Sequence, residues 1–240
     1  MPLKSGMAEK IPLVLVPGTL CNEVAWAPQA RALSDIADPE IADLRGQASL
    51  SEMAATILQK APPVFALAGH SMGGRIALEI VDQAPERVSR LALLDTGTHP
   101  VAEGEPARRA KNVDVVATDG LAAFAEPWVR AILPPYRLEG IELVAAVRGM
   151  ILSFDTSDFQ AQSTAMLGRR DLAPILKSIE CPTLVLCGED DTYSPPNQHR
   201  SIAAEIADAR LVIVPRCGHM APMERSDAVS AALRDWLLSQ

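Results

Sequence analysis

The chain has 240 residues, of which 48% are hydrophobic and 22% are charged, and its formal net charge is −8 at pH 7. This length and apolar content predict one large globular domain, or a domain with an insertion, and exclude a disordered or fibrous chain. The acidic balance argues against a nucleic-acid partner, and the lack of an apolar run long enough to cross a bilayer argues against a membrane partner. The residues through Lys10 lack the apolar core of a signal peptide, so we expect a cytoplasmic protein.

Short apolar runs alternate with helical patterns along the first part of the chain. The patterns predict strands over residues 12–16, 36–42, 64–68 and 88–94, and helices over residues 26–33, 53–60 and 73–83. Residues 98–170 then show helical periodicity that prolines interrupt, with no strand pattern, and indicate a helical insertion. Strands over 183–187 and 211–215 and helices over 196–206 and 227–238 complete the pattern.

Strands that alternate with helices imply a mainly parallel, doubly wound sheet with helices on both faces. Ligands bind such sheets beyond the carboxyl ends of the strands. Gly18, Ser71, Asp95, Asp191 and His219 each lie just after a predicted strand. The topology alone therefore predicts a site that these five positions share.

The segment 69–73 has the sequence Gly-His-Ser-Met-Gly and lies between a predicted strand and a predicted helix. This context is typical of a nucleophile elbow, in which a sharp turn exposes the serine hydroxyl beside backbone N–H groups. Glycines at 69 and 73 fit the turn, because side chains there would collide with the strand or the helix. A serine nucleophile also needs a base, and the base needs a third group to orient it.

The elbow, together with the segments 15–19, 188–195 and 218–224, resembles the α/β-hydrolase superfamily over the whole chain except the insertion. The resemblance implies the α/β-hydrolase fold, with a core of residues 1–97 and 171–240 and a helical cap of residues 98–170. The superfamily orders its triad as serine, acid, histidine along the chain. That order implies Ser71 as nucleophile and His219 as base.

The resemblance implies Asp191 as the triad acid, because the family spacing of glycine, acid and proline is met by Gly188, Asp191 and Pro195. Asp95 and Asp190 stay open as alternatives. The backbone N–H groups of Thr19 and Met72 are the expected oxyanion donors. Residue 17 is a proline where the family commonly has a histidine, which leaves open what supports the loop that carries Thr19. Three insertion residues are expected to contact substrate: Trp128, Arg148 and Phe154.

These residues together predict a cofactor-independent serine hydrolase that cleaves a small carboxylic ester or lactone through an acyl-enzyme on Ser71. No metal and no cofactor is expected. The same triad also serves carbon–carbon bond hydrolases, lyases and perhydrolases in this superfamily, and some relatives are non-catalytic ligand receptors. Sequence does not choose among the acyl and alcohol groups, because the pocket depends on how the insertion folds.

Overall fold

The computed structural model describes residues 9–239. Within them, six parallel strands form one sheet in the order β2-β1-β3-β4-β5-β6. The strands are β1 Ile11–Val16, β2 Ala37–Ile41, β3 Phe65–His70, β4 Val88–Leu94, β5 Thr183–Gly188 and β6 Ala209–Val214. The segment through Lys10, for which the sequence predicts no signal peptide, lies mostly outside the described residues.

Ten α-helices occur in the described part of the chain. They are α1 Glu23–Leu33, α2 Leu50–Lys60, α3 Met72–Gln83, α4 Glu105–Asp119, α5 Leu121–Ile132, α6 Ile141–Leu152, α7 Thr156–Leu167, α8 Pro196–Glu205, α9 Ala221–Glu224 and α10 Ser226–Leu238. Short 3₁₀ helices occur at Pro85–Arg87, Pro135–Arg137 and Ala173–Ser178.

Both faces of the sheet are buried under helices. In β1, Val14 and Val16 pack into a core with α2, α3 and α8, whereas Leu13 and Leu15 pack into a second core with α1 and α10. Alternation of side chains between the faces of a strand produces this division. The predicted mainly parallel, doubly wound sheet is confirmed.

The first two helices begin three residues before the apolar periodicity that predicted them. Asn22 precedes α1 and its side chain accepts a hydrogen bond from the Val24 N–H, at 3.0 Å. Ser49 does the same for the Glu52 N–H at the start of α2. Capping side chains thus set these helix starts, rather than the apolar face.

The stretch between β4 and β5 contains α4, α5, α6 and α7, which we call the four-helix segment. Apolar side chains of these helices form a third core. Leu20, which follows β1, and Met220, which follows β6, pack into it. The four-helix segment therefore lies over the carboxyl ends of the strands.

Candidate active site

The turn between β3 and α3 places Ser71 in a strained backbone conformation, with φ of +55° and ψ of −117°. A non-glycine residue holds such a conformation only where its surroundings fix it. Here the Ser71 N–H donates to the Leu94 carbonyl at 2.9 Å, and the Thr96 hydroxyl donates to the Ser71 carbonyl at 2.7 Å. Both contacts come from the end of the neighbouring strand β4 and the residues that follow it.

The glycines on either side of Ser71 are required by close backbone contacts. A Cβ at Gly69 would lie 2.2 Å from the Gly73 carbonyl oxygen, and one at Gly73 would lie 2.1 Å from the Val16 carbonyl oxygen. Neither contact can be relieved by a side-chain rotation, because both neighbours are backbone atoms. The spacing of the motif is therefore the spacing at which strand and helix pass each other.

Three side chains from distant parts of the sequence form a continuous hydrogen-bonded line. The Ser71 Oγ lies 2.9 Å from the His219 Nε2, and the His219 Nδ1 lies 2.9 Å from the Asp191 Oδ2. Because a carboxylate only accepts, Nδ1 carries the ring proton and Nε2 accepts from the Ser71 hydroxyl. His219 is 3% exposed and Asp191 is 2% exposed, so water is largely kept from both.

The other oxygen of Asp191 is held by the turn that follows it. Its Oδ1 accepts hydrogen bonds from the backbone N–H groups of Tyr193 and Ser194, each at 2.8 Å. The adjacent Asp190 faces elsewhere, where its carboxylate accepts from the Tyr136 hydroxyl. Of the two neighbouring acids, the structure brings Asp191 to the histidine.

Asp95, the third candidate acid, is fully buried and bonds to backbone. Its two carboxylate oxygens accept from the Gly188 N–H at 3.0 Å and the Ala221 N–H at 3.2 Å. Burial, followed by the charge of Asp191, raises the pKa of Asp95 above its ordinary value. Asp95 thus joins the end of β4 to the loops that carry Asp191 and His219, and its described hydrogen bonds do not include the His219 ring.

Backbone contacts also hold the histidine loop. The Glu224 carboxylate accepts from the N–H groups on either side of His219, those of Gly218 at 2.9 Å and Met220 at 3.0 Å. The His219 N–H donates to the carbonyl of Ile132, at 3.1 Å, from the end of α5. The four-helix segment therefore contacts the loop that carries His219.

The two expected oxyanion donors lie on neighbouring turns. The Thr19 hydroxyl lies 3.6 Å from the Met72 sulfur, and within residues 9–239 neither backbone N–H is used in a protein hydrogen bond. The next residue, Leu20, has φ of +52°, and its N–H donates to the Gln162 Oε1 at 2.8 Å. Gln162 comes from α7 and is fully buried.

Gln162 was not among the site residues that the sequence predicted. Because residue 17 is a proline, the sequence did not show which side chain supports the loop that carries Thr19. Gln162 supports it through the hydrogen bond to Leu20, which is 142 positions away in sequence. The only local signal in the sequence was a polar residue at helical spacing from the apolar residues Phe159 and Met166. Spacings of three residues from Phe159 and four residues to Met166 place Gln162 beside both on the helix surface.

The α/β-hydrolase family model matches residues 13–232. The chain belongs to the α/β-hydrolase family. The chain is similar to a thermophilic esterase from Thermogutta terrifontis, with 27% identity and a TM-score of 0.86 over 95% of this chain and 89% of the esterase. The enol-lactonase from Burkholderia xenovorans LB400 gives a TM-score of 0.87 over 98% of this chain and 94% of the lactonase, and at 23% identity it shows the fold alone.

A curated relative, the 2-hydroxy-6-oxononadienedioate/2-hydroxy-6-oxononatrienedioate hydrolase of Escherichia coli, is 27% identical over 194 residues. The match covers 71% of this chain and 61% of the relative. The chain spans less than two thirds of the length of the first curated relatives that it matches, between 61% and 65%. No helix in the described residues combines the length and apolar character needed to cross a membrane.

Two neighbouring spaces lie near Ser71 in this α/β-hydrolase. A cavity of about 10 Å³ lies directly at Ser71 and His219, which is about the volume that one water needs. A larger pocket of about 450 Å³ lies beyond it. Thr19 and Trp128 line both spaces, so the larger pocket lies next to the cavity at Ser71.

Of the three insertion residues expected to contact substrate, the structure brings only Trp128 to these spaces. Phe154 packs in the third core under the Arg45 guanidinium, which lies 4.7 Å from its ring centroid. Arg148 is exposed on α6 and lines neither space. The expectations for Phe154 and Arg148 are corrected here, because helical periodicity alone did not show which faces of α6 and its following turn point inward.

An aromatic pair encloses the histidine. The Tyr193 ring lies 4.9 Å from the His219 ring and 5.3 Å from the Trp128 ring, between ring centroids. Within residues 9–239, no cluster of three or more His, Cys, Asp and Glu side chains has the geometry of a metal site. The arrangement places an imidazole that can accept a proton, an oriented hydroxyl and, among the described residues, two backbone N–H groups without a protein acceptor beside one small cavity.

Proposed function

We propose that this α/β-hydrolase is a cofactor-independent serine hydrolase that cleaves a small carboxylic ester or lactone. The observation that carries the proposal is the hydrogen-bonded line from Asp191 through His219 to Ser71, with 2.9 Å at each step. A weakly nucleophilic hydroxyl needs this arrangement to lose its proton as it attacks.

In the first half of the reaction, the Ser71 Oγ attacks the carbonyl carbon while the His219 Nε2 takes the hydroxyl proton. Asp191 stabilises the imidazolium that forms, and the N–H groups of Thr19 and Met72 bind the oxyanion. The tetrahedral intermediate then expels the alcohol, which takes the proton from Nε2. Water attacks the acyl-enzyme by the same steps and releases the acid.

The four-helix segment, within residues 98–170, serves as a cap in this proposal. It supplies Trp128 beside the nucleophile, the Ile132 carbonyl to the histidine loop and the Gln162 side chain to the loop of Thr19. The cap therefore shapes the pocket and also holds two of the loops that carry the chemistry.

Hydrolysis of a carbon–carbon bond by the same triad is the second candidate. The similarity to the Escherichia coli dienedioate hydrolase, at 27% identity, favours it. A panel of aryl esters and lactones tested beside a panel of 2-hydroxy-6-oxo-dienoates separates the two candidates by turnover.

Labelling with a fluorophosphonate tests the serine directly. We expect mass spectrometry to find the label on Ser71, and we expect Ser71→Ala to lower ester turnover by about a thousandfold or more while keeping its circular dichroism spectrum. Ser201→Ala, at an exposed serine of α8, serves as the matched control. A Ser71→Ala enzyme that keeps more than a tenth of wild-type turnover contradicts the proposal.

A further inference from the structure

The pocket of about 450 Å³ beside the catalytic residues has one basic wall. Helix α4 contributes Arg108, Arg109 and Lys111 to it, and none of its lining residues is acidic. The whole chain has a net charge of −8, but the side chains that line this pocket include three basic groups and no acidic group. The charge of the pocket lining is therefore opposite in sign to that of the whole chain. Such a pocket favours an anionic ligand.

Two of the three cations are not used by the protein. Within the described residues, Arg108 and Lys111 form no ion pair, whereas Arg109 pairs with Glu105 at 2.8 Å. Although burial opposes ionisation, hydrogen bonds from Arg169 and Arg109 lower the pKa of Glu105 to about 2. Glu105 is therefore already matched by two guanidinium groups.

The positions on α4 place the free cations on one helix face. Arg108, Lys111 and Val115 follow each other at spacings of three and four residues, and all line the pocket. Residues at these spacings share a face of a helix. The basic wall is thus a consequence of sequence spacing along a single element.

The opposite wall is aromatic and contains a buried hydroxyl. Phe124 contacts Phe159, with ring centroids 4.6 Å apart, and Trp128 stacks on Phe124 at 5.5 Å. Ser163 also lines the pocket, is 2% exposed, and has no hydrogen-bond partner for its Oγ among the described residues. Buried hydroxyls in proteins nearly always have a partner, so this one points to a polar ligand group.

We propose that this pocket binds a carboxylate carried by the substrate, so that the preferred substrate is an ester or lactone with an anionic group away from the scissile carbonyl. The carbon chain lies on the aromatic wall, and the carboxylate is bound by Arg108 and Lys111 at the rim. The proposal rests on the proposed function, and it names the substrate class of that same site.

Pairs of substrates that differ only in one carboxylate test whether the enzyme prefers an anionic substrate. Mono(4-nitrophenyl) adipate and its methyl ester differ by one carboxylate on the acyl side, and 6-acetoxyhexanoate and its methyl ester differ likewise on the alcohol side. In at least one pair, we expect kcat/KM for the acid to exceed that for the neutral ester by about fivefold or more, and the preference to shrink as salt rises. Equal or reversed preference in both pairs overturns the proposal.

Variants that lack the basic side chains of the pocket test whether these side chains cause the preference for the acid. Arg108→Gln combined with Lys111→Gln should lower the acid-to-neutral ratio of kcat/KM by about fivefold, since each exposed pair contributes up to about fivefold. Arg31→Gln combined with Lys60→Gln removes the same charge from exposed positions on α1 and α2, and should leave the ratio within twofold. A ratio that falls equally in both double variants indicates net charge only and overturns the assignment.

Binding to Ser71→Ala separates this proposal from the hydrolase proposal. We expect titration calorimetry to show monomethyl adipate or 6-acetoxyhexanoate binding more tightly than its neutral methyl ester, by about the same factor. Preferential binding without any turnover in the wild type would leave the pocket assignment standing and contradict the hydrolase. Equal binding of acids and esters, or no binding of either, overturns the pocket assignment whatever the turnover.

Discussion

Three aspartates lie near His219, the proposed base, and they differ in the donors that they face. Asp191 accepts from the His219 ring, Asp190 accepts from the Tyr136 hydroxyl, and Asp95 accepts from two backbone N–H groups. The carboxylate of Asp191 therefore orients the His219 ring, that of Asp190 makes a contact at the surface, and that of Asp95 joins two loops.

Replacement of each aspartate by asparagine should distinguish the three positions by its effects on kcat and on the melting temperature. We expect Asp191→Asn to lower kcat by about a thousandfold or more, because the amide no longer fixes the His219 tautomer. Asp190→Asn, the adjacent control, should stay within a few-fold of wild type. Asp95→Asn should lower the melting temperature more than either, because one carboxylate oxygen becomes an NH₂ that faces a backbone donor.

Steady-state kinetics and thermal melts of the three variants check this pattern. A tolerant Asp191→Asn together with a large kcat loss at Asp95 would contradict the assignment of the acid.

Sequence could indicate Ser71 and Asp191 because each lies in a local motif that follows a strand. It could not indicate Gln162, because the partner of that side chain is a backbone N–H far away in sequence. It also placed Phe154 at the substrate, although the ring packs under Arg45. Contacts between the insertion and the core loops are tertiary, and no local pattern encodes them.

At the scale of elements, α7 is coupled to the loop after β1. The Gln162 Oε1 accepts from the N–H of Leu20, whose φ is +52°, and Thr19 is the preceding residue. Helix α7 also accepts the Gly46 N–H through the Asp158 carboxylate, at 3.1 Å. The insertion therefore fixes the backbone next to one proposed oxyanion donor.

Removing the acceptor on α7 should affect the rate more than substrate binding. We expect Gln162→Met to lower kcat by about ten- to a hundredfold, with KM within about threefold, since a misplaced oxyanion donor acts mainly in the transition state. Gln160→Met is the matched control, because Gln160 is exposed on the same helix. Steady-state kinetics with a small aryl ester measure kcat and KM of both variants. The rate of fluorophosphonate labelling measures the reactivity of Ser71 in both variants.

A Gln162→Met enzyme that folds and keeps wild-type kcat would show that Gln162 only packs. A loss confined to the melting temperature would lead to the same conclusion.

At the scale of the whole molecule, the sheet and its two helical layers were predictable from sequence because buried parallel strands and amphipathic helices have distinct periodicities. The pocket was not predictable. Its basic wall comes from α4 and its aromatic wall from α5 and α7, and only the packing of the third core brings these helices together. The sequence patterns of the single helices do not show how these helices pack against each other.

Two buried histidines make the stability of the whole fold sensitive to acid. Burial, followed by the charge of His219, lowers the pKa of His70 to about 3. Burial lowers the pKa of His199 to about 4, and its Nε2 accepts the Thr96 N–H at 2.9 Å. Between these values and about 6.5, the unfolded chain binds more protons than the folded chain, so the free energy of unfolding decreases as pH falls.

We expect the melting temperature to drop between pH 7.5 and pH 5.5, with each histidine contributing on the order of 1 kcal/mol at pH 5.5. The raised pKa of Asp95 acts in the opposite direction, so the wild-type curve alone does not separate the groups. His199→Gln keeps an acceptor for the Thr96 N–H but does not titrate. Its melting temperature should be lower at pH 7.5, and its further drop to pH 5.5 should be smaller than that of the wild type by roughly 2–4 °C. Parallel melting curves for the two proteins over this range would show that His199 does not make acid unfolding easier.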